Sequence, residues 1–188
     1  CLRIGNKEYK LGDRTYIMGI LNVTPDSFSD GGKFNEIEAA VIQAKKLVED
    51  GADIIDVGGE STRPGSENIS IDEELERVIP VISELKNKIN IPISIDTYKS
   101  EVAEEALKAG AEIVNDISGF KFDKRNAEVT AKYKASCVVM HIKGTPKDMQ
   151  KNPVYENVVE EVFEYLKDSV DIAKSFGIKQ IITDVGIG

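Results

Sequence analysis

The chain has 188 residues, of which 33 are acidic and 24 are basic, so its formal net charge at pH 7 is −9. This acidic balance argues against nonspecific binding to the phosphate backbone of a nucleic acid. With 41% hydrophobic and 30% charged residues the composition is that of a globular domain, and no run reaches the ~20 apolar residues of a membrane-spanning helix. We therefore expect one cytoplasmic domain over residues 1–188 that binds neither nucleic acid nor membrane.

The first predicted element is a β-hairpin, since residues 2–11 alternate in polarity around a Gly5-Asn6 turn. From residue 16 onward, short apolar runs alternate with longer segments of helical periodicity, which is typical of βα units and a parallel sheet. The predicted strands cover residues 17–22, 54–58, 93–97, 113–117, 137–142 and 181–184. Apolar stripes at helical spacing predict helices around residues 37–48, 75–82, 102–107 and 158–170.

Several helix boundaries are marked by the residues that usually cap helices. Ser70 followed by Glu73 is a capping-box pattern ahead of the second helix. Pro80 lies inside that helical pattern, so we expect the helix to be kinked there or to be shorter than its periodicity indicates. Three glycines stand where a helix should end in a left-handed residue: Gly51, Gly110 and Gly177.

Strand after strand ends on a hydrogen-bonding side chain, in chain order Asn22, Asp56, Asp96, Asn115, His141 and Asp184. In a parallel α/β fold the carboxyl ends of the strands form one face, so these groups should converge on one cavity. For any single residue, a hydrogen bond to a loop amide is the better interpretation, but six strands in order favour a site. Because buried carboxylates are costly, Asp96 and Asp184 beside Asn115 predict a ligand with N–H donors, such as a guanidine-like heterocycle edge.

Two glycine-rich loops follow the first two strands of the predicted sheet. The first begins at Asn22 and carries oxygen ligands suited to a hard cation, although an ordinary turn has a similar composition. The second covers residues 58–66 and combines glycines with Thr62 and Arg63, which suits a phosphate or a carboxylate. From that loop alone, an exposed polar loop with a surface arginine is equally well supported.

Other chemically reactive side chains receive a structural interpretation. Cys137 lies in an apolar run, where a thiol behaves as a small buried hydrophobe. His141 is the single histidine and has no nucleophile or second histidine beside it in sequence, so a structural role is favoured over general-base catalysis. Acidic pairs on the helical segments are interpreted as solvated faces without catalytic weight: Glu73-Glu74, Glu104-Glu105 and Glu160-Glu161.

Taken together, several segments resemble the dihydropteroate synthase family. The matching segments are residues 19–32, residues 56–65, Ile95-Asp96-Thr97, Asn115-Asp116 and Met140-His141. The resemblance implies a TIM (β/α)8-type barrel, preceded here by the β-hairpin, of which about six βα units are present in this chain. It also implies the condensation of 6-hydroxymethyl-7,8-dihydropterin pyrophosphate with p-aminobenzoate, giving 7,8-dihydropteroate and pyrophosphate.

The same resemblance implies roles for individual residues. The pterin-binding positions would be Asp96, Asn115, Ile117, Met140 and Asp184. The loop positions that shape the p-aminobenzoate pocket would be Phe28, Thr62, Arg63 and Pro64, and those that act in catalysis would be Asp30, Thr62 and Arg63. Asn22 would contact Mg²⁺ and pyrophosphate. The protein would be a homodimer and a target of sulfonamides.

Two departures from the family pattern affect these expectations. Val185 follows Asp184 where the family usually has a proline. An eight-stranded barrel needs ~250 residues, and the family's later lysine, arginine and histidine have no counterpart in this chain. We therefore expect a C-terminally incomplete barrel with exposed edge strands, prone to aggregate and weak in catalysis.

Two alternative functions are kept open beside this resemblance. A methyltetrahydrofolate:corrinoid methyltransferase has similar acidic and amide contacts to a pterin, but it does not need the loops around Phe28 and Arg63, and it would depend on cobalamin. A non-catalytic pterin-binding homologue would lack the later basic residues as a genuine property of the protein.

Overall fold

The computed structural model of the protein describes residues 1–23, 32–60, 68–145 and 154–187, and it begins with a two-stranded antiparallel hairpin. Its strands are β1 (Leu2–Ile4) and β2 (Lys7–Tyr9). Gly5 in the turn between them has a φ of +55°, a left-handed conformation that glycine adopts without steric cost. The hairpin predicted from the Gly5-Asn6 pair is therefore confirmed.

Six parallel strands form the main sheet and lie side by side in their chain order. They are β3 (Met18–Asn22), β4 (Ile54–Gly58), β5 (Ile93–Asp96), β6 (Ile113–Asp116), β7 (Ser136–Met140) and β8 (Ile181–Asp184). Each crossover contains one described helix, in order α1 (Gly32–Glu49), α2 (Ile71–Lys88), α3 (Ser100–Ala109), α4 (Arg125–Lys132) and α5 (Val158–Ser175). This order confirms the predicted α/β class, as the part of a (β/α) barrel that six strands form.

Successive residues of each strand face opposite sides of the sheet. One side packs against the helices through a core that includes Leu21, Ile55, Val57, Ile95 and Val114. The other side, which we call the interior side, is apolar toward the amino ends of the strands, where residues of the hairpin join the same cluster: Ile4, Tyr9, Ile54, Ile113 and Val138. The hairpin thus fills the amino-terminal end of the interior side, and polar side chains occupy its carboxyl-terminal end.

Helix α2 differs in length from its prediction. Ser70 Oγ accepts a hydrogen bond from the Glu73 backbone nitrogen at 3.2 Å, as the capping pattern predicts. The helix then continues through Pro80 to Lys88, so the alternative of a shorter helix is wrong, and the alternative of a kink at Pro80 stays a prediction. Burial of Ile82 and its neighbours beyond the proline stabilises the remaining turns, which outweighs the one hydrogen bond that proline cannot donate. The three glycines predicted at helix ends all have positive φ: Gly51 at 108°, Gly110 at 125° and Gly177 at 85°.

Sequence periodicity does not mark α4, because polar residues occupy two of its inward positions. Asn126 and Thr130 are fully buried, so the apolar stripe that identifies the other helices is interrupted. Asn126 Nδ2 donates to Asp116 Oδ2 at 2.8 Å, and Thr130 Oγ1 donates to the Asn126 carbonyl at 2.7 Å. Since buried polar groups are tolerated when they are hydrogen-bonded, this short helix forms without an apolar pattern of its own.

Two further expectations from the sequence concern burial and apolar length. Cys137 lies in β7 with no exposed surface, and burial raises the pKa of its thiol to about 12. Its interpretation as a small buried hydrophobe is confirmed. Across the described ranges, none of the helices combines the length and the apolar character needed to cross a membrane.

Candidate functional site

The strand register brings three of the six predicted strand-end residues into one row on the interior side, together with Gly58. Asn22 pairs with Gly58, Gly58 pairs with Asp96, and Asp96 pairs with Asn115, on the neighbouring strands β3 to β6. Gly58 leaves a gap in this row, since a Cβ there would lie 3.5 Å from Asp96 Oδ2 and 3.8 Å from Asn22 Oδ1. The side chains of Asn22 and Asp96 therefore lie on either side of Gly58 at the carboxyl end of β4, where Gly58 itself contributes no side chain.

Asp56 lies one row nearer the amino ends of the strands, where it pairs in register with Ser94. It is the third residue of β4 and only 5% exposed, so the expectation that it stands at a strand tip is wrong. The Asn115 side chain connects the two rows, because its Nδ2 donates to Asp56 Oδ2 at 3.0 Å. Asp56 is thus a buried support beneath the row rather than a member of it.

A buried acceptor oxygen without a partner lies in this row. Among the described residues, Asp96 Oδ1 is buried and has no hydrogen-bond partner, whereas Asp56, in the row below, accepts from the side chains of Ser94 and Asn115. Such an unpaired atom is rare in folded proteins, because an unsatisfied buried polar group costs free energy. A ligand with N–H donors would satisfy Asp96 Oδ1, in agreement with the sequence-based expectation for Asp96 and Asn115.

Burial also sets the protonation of the two carboxyl groups. Desolvation raises the pKa of Asp56, and desolvation together with the charge of Asp56 raises the pKa of Asp96 well above its usual range. Among the described residues, none of the main causes of these two pKa shifts is a cation. A ligand that presents hydrogen-bond donors or positive charge would therefore stabilise the ionised forms of this pair.

Ile117, Met140 and Asp184 extend the site beyond the row, toward β7 and β8. Ile117 directly follows β6 and is 6% exposed, while Met140 ends β7 opposite Asp184 at the end of β8. Asp184 is exposed, and its Oδ1 accepts a hydrogen bond from the Gly186 nitrogen at 2.8 Å. The structure thus places all five predicted pterin positions at the carboxyl ends of neighbouring strands.

His141 lies one residue past β7 rather than on its last position. Its ring packs edge-on against Tyr165 at a centroid distance of 5.0 Å and hydrogen-bonds to the backbone of Val185. Its backbone nitrogen donates to the Asp184 carbonyl at 2.9 Å. Burial lowers the pKa of the imidazole, so the neutral form is favoured. These contacts agree with the structural role predicted for this histidine.

A buried ion cluster that the sequence interpretation missed lies beside the second loop. The Lys99 ammonium is 2.7 Å from Glu60 Oε2 and 2.7 Å from Glu74 Oε2, and it donates to the Ile69 carbonyl at 2.8 Å. The Glu74 side chain is 1% exposed, so its interpretation as part of a solvated face is wrong. Its turn of α2 faces inward because the lysine from the segment after β5 neutralises it. Sequence spacing carries no signal for this contact, since the partners lie 25 and 39 residues apart.

The remaining predicted site residues lie outside the described ranges: Phe28, Asp30, Thr62, Arg63 and Pro64. The predicted metal contact, Asn22, is described and lies exposed at the end of β3. Within the described ranges, no three His, Cys, Asp or Glu residues are arranged to hold a metal ion.

Several known proteins are similar to this chain in sequence and in fold. The pterin binding enzyme family matches residues 18–188. Dihydropteroate synthase of Clostridium beijerinckii is 54% identical, over 100% of this chain and 68% of that protein. Dihydropteroate synthase of Clostridium difficile, solved in the presence of pteroic acid, has a TM-score of 0.88 at 52% identity and covers 96% of this chain and 67% of that one. The Yersinia pestis enzyme, solved as a sulfonamide drug complex, has a TM-score of 0.90 at 38% identity and covers 100% and 68%.

The present chain spans about two thirds of the length of these relatives. The family match begins at Met18, the first residue of β3, and therefore includes all six parallel strands. Both the level of identity and the agreement of the folds extend over the elements that carry the interior-side row. The chain belongs to the pterin binding enzyme family and, within it, to the dihydropteroate synthases.

Proposed function

We propose that the protein condenses 6-hydroxymethyl-7,8-dihydropterin pyrophosphate with p-aminobenzoate, giving 7,8-dihydropteroate and pyrophosphate. The observation that carries this proposal is the pairing of Asp96 and Asn115 at the strand ends, where the buried Asp96 Oδ1 has no hydrogen-bond partner in the described structure. Membership of the dihydropteroate synthases supplies the reaction for which such a site would be used.

The chemistry of the interior-side row supports a pterin ligand. A pterin presents a guanidine-like edge of N–H donors beside a flat aromatic ring. Asp96 Oδ1 would accept from that edge, and the amide of Asn115 would complete it. Ile117 and Met140 would pack against the ring, while Asp184 would accept at its far side. The hydrogen bond to Asp96 Oδ1 would satisfy a buried group that is otherwise unpaired in the described structure.

Ligands of the solved relatives support a second pocket next to the pterin. Pteroic acid, present with the Clostridium difficile enzyme, joins a pterin to p-aminobenzoate, and the Yersinia pestis enzyme was solved with a sulfonamide. In this protein we propose that the two loops hold p-aminobenzoate, through Phe28, Thr62, Arg63 and Pro64. Asp30, Thr62 and Arg63 would act closest to the reacting atoms. This assignment rests on the family resemblance of residues 19–32 and 56–65.

The reaction replaces a carbon–oxygen bond by a carbon–nitrogen bond. The bond between the pterin methylene carbon and pyrophosphate breaks with its electron pair on the leaving oxygen, and the arylamine lone pair forms the new bond. The arylamine nitrogen then loses a proton. Positive charge develops on the pterin methylene during this exchange, and the Asp96 carboxylate, whose ionised form the N–H donors of the bound pterin would favour, would stabilise it electrostatically. The main contribution of the protein would be this preorganised negative potential.

We propose Mg²⁺ as the cofactor, with Asn22 as its contact in the described part of the chain. A carbonyl oxygen suits this hard cation, which commonly keeps several waters and shares substrate phosphates as ligands. The absence of three grouped acidic or histidine side chains in the described ranges agrees with such a substrate-completed site. When bound, Mg²⁺ would neutralise charge on the departing pyrophosphate.

The experiment that tests the function measures pyrophosphate release and dihydropteroate formation by the purified protein, with and without p-aminobenzoate and Mg²⁺. Asp96→Asn should reduce turnover at least tenfold, since it removes an acceptor from the pterin edge. Asp50→Asn, at an exposed aspartate after α1, is the matched control and should leave turnover unchanged.

Each other outcome favours a different function. Tight pterin binding without turnover, at saturating p-aminobenzoate, would indicate the non-catalytic homologue. Methyl transfer that requires cobalamin would indicate the corrinoid methyltransferase. No pterin binding would refute the proposed function altogether. The homodimer and the cytoplasmic location that the resemblance implies stay predictions, and analytical ultracentrifugation and cell fractionation would test them.

A further inference from the structure

We propose that Asp56 is a positioning residue that fixes which end of the Asn115 amide faces the ligand, an inference that rests on the proposed pterin site. Asp56 would not itself touch the pterin. It would act through Asn115, by holding the amide nitrogen away from the ligand and leaving the amide oxygen toward it.

The geometry of the two side chains supports this arrangement. Asn115 Nδ2, on β6, donates to Asp56 Oδ2, on β4, at 3.0 Å, and β5 lies between these two strands. Asp56 is 5% exposed and belongs to the row below Asp96 and Asn115 in the strand register. The more exposed Asn115 therefore lies between Asp56 and the proposed ligand.

The chemistry of an amide explains why this bond affects specificity. One end of the Asn115 amide only donates and the other only accepts. An ionised Asp56 only accepts, so it pairs with Nδ2 and turns Oδ1 to the opposite side. The ligand then meets two neighbouring acceptors, Asn115 Oδ1 and the unpaired Asp96 Oδ1. This pair matches a ligand edge of N–H donors, whereas a flipped amide would oppose a donor to a donor.

The test uses a substitution that keeps shape and changes only hydrogen-bonding character. In Asp56→Asn the new amide can donate or accept, so Asn115 is no longer held in one orientation. In the double variant Asp56→Asn with Asn115→Asp, residue 56 donates and residue 115 again presents an acceptor to the ligand. The double variant should therefore recover what the single variant loses.

A second buried Asp–Asn pair provides the matched control. Asn126 Nδ2 donates to Asp116 Oδ2 at 2.8 Å, but this pair lies on the helix side of the sheet, away from the interior-side row. Asp116→Asn should lower the melting temperature without changing ligand choice. Loss of stability alone is thus separated from loss of specificity.

The measured quantity is the ratio of dissociation constants, by calorimetry, for 6-hydroxymethylpterin and its analogue with hydrogen in place of the exocyclic amino group. We expect the wild-type protein and the double variant to prefer the pterin by about tenfold or more, and Asp56→Asn to prefer it by about threefold or less. Asp116→Asn should retain the wild-type ratio.

An unchanged ratio in Asp56→Asn would overturn the inference while leaving the proposed function intact. If the wild-type protein bound neither compound, the proposed function would fail and the inference with it. If the single variant did not fold, nitrogen-15 NMR of the wild-type side-chain amides would decide. We expect the side-chain amide group of Asn115 to reorient slowly and its Nδ2 resonance to be shifted. A freely reorienting Asn115 amide would contradict the positioning role.

Discussion

Replacing Lys99 by methionine should destabilise the protein strongly, because it removes the cation that pairs with two buried glutamates in the described part of the chain. The Lys99 ammonium lies 2.7 Å from a carboxylate oxygen of Glu60 and 2.7 Å from one of Glu74. The side chains of Glu60 and Glu74 are 6% and 1% exposed, so water cannot readily solvate their negative charges once the ammonium is gone. Methionine keeps the length of the stem, and the effect measured is therefore that of the charge and its hydrogen bonds.

The expected size follows from burial. Removing one partner of a buried ion pair costs about 3–5 kcal/mol, since an uncompensated charge is left behind. In a domain of this length, each kcal/mol lowers the melting temperature by about 2–4 °C, so the decrease should be roughly 6–20 °C. Differential scanning calorimetry and urea unfolding at pH 7 would measure the melting temperature and the free energy of unfolding.

Lys132→Met is the matched control for this prediction. Lys132 also lies 2.7 Å from a glutamate oxygen, that of Glu104, but its side chain is 62% exposed whereas that of Lys99 is 13% exposed. An exposed pair in water contributes little, so this variant should change the melting temperature by roughly 2 °C or less. Equal losses in the two variants would refute the assignment of the Lys99 effect to burial.

The pH dependence provides a second test of the same variant. Burial already raises the pKa of Glu74 in the wild-type protein, and loss of the lysine should raise this pKa further. A carboxyl group with a raised folded-state pKa contributes stability below its unfolded pKa, and this contribution is lost as the pH rises through the folded pKa. The difference between Lys99→Met and the wild-type protein should therefore narrow from pH 7 to pH 5. A constant difference would contradict the buried-charge explanation.

Three further variants test the site. Asp96→Asn should raise the free energy of unfolding at pH 7.5, because burial raises the pKa of this aspartate and its ionised form is costly there. The gain should vanish at acidic pH, and a less stable variant at pH 7.5 would contradict it. Gly58→Ala adds a methyl group 3.5 Å from Asp96, an ordinary van der Waals contact, so the melting temperature should not change. Pterin affinity should fall about tenfold because the methyl group occupies space between Asn22 and Asp96. An unchanged affinity would show that the space beside Gly58 is not part of the site. Gly186→Ala, at φ +69° and with a Cβ that would clash with the His141 carbonyl oxygen, should cost about 1–3 kcal/mol and speed hydrogen exchange of the His141 amide; an unchanged exchange rate would contradict this expectation.

The sequence predicts most of the architecture because the fold repeats one strongly patterned unit. Each strand is a short, mainly apolar run, and a helix separates each run from the next. The pattern fails at α4, where Asn126 and Thr130 replace apolar residues and pair with Asp116 and the backbone. A buried polar network has no period in the sequence, so it is found only when the tertiary contacts are known.

Strand-end position is enough to predict the row of Asp96 and Asn115, since register follows from the βα repeat. The role of Asp56 needs more, because its hydrogen bond to Asn115 depends on two strands that are separated by β5. The Glu74–Lys99 contact likewise cannot be predicted from the sequence. A glutamate pair at the start of a helix is usually explained by its favourable interaction with the helix dipole. Sequence therefore identifies which groups face the site but not which of them are already paired.

The two buried acidic clusters of this fold differ in what neutralises them, and that difference is informative about function. Glu60 and Glu74 share the ammonium of Lys99, so that cluster contains its own cation. In the described structure, Asp56 accepts from the side chains of Asn115 and Ser94, and Asp96 Oδ1 is unpaired. A ligand that donates hydrogen bonds to Asp96 would have the neutralising role there that Lys99 has in the first cluster. Ligand binding should therefore stabilise the protein by favouring its folded state, whereas the Lys99 cluster stabilises it at all times.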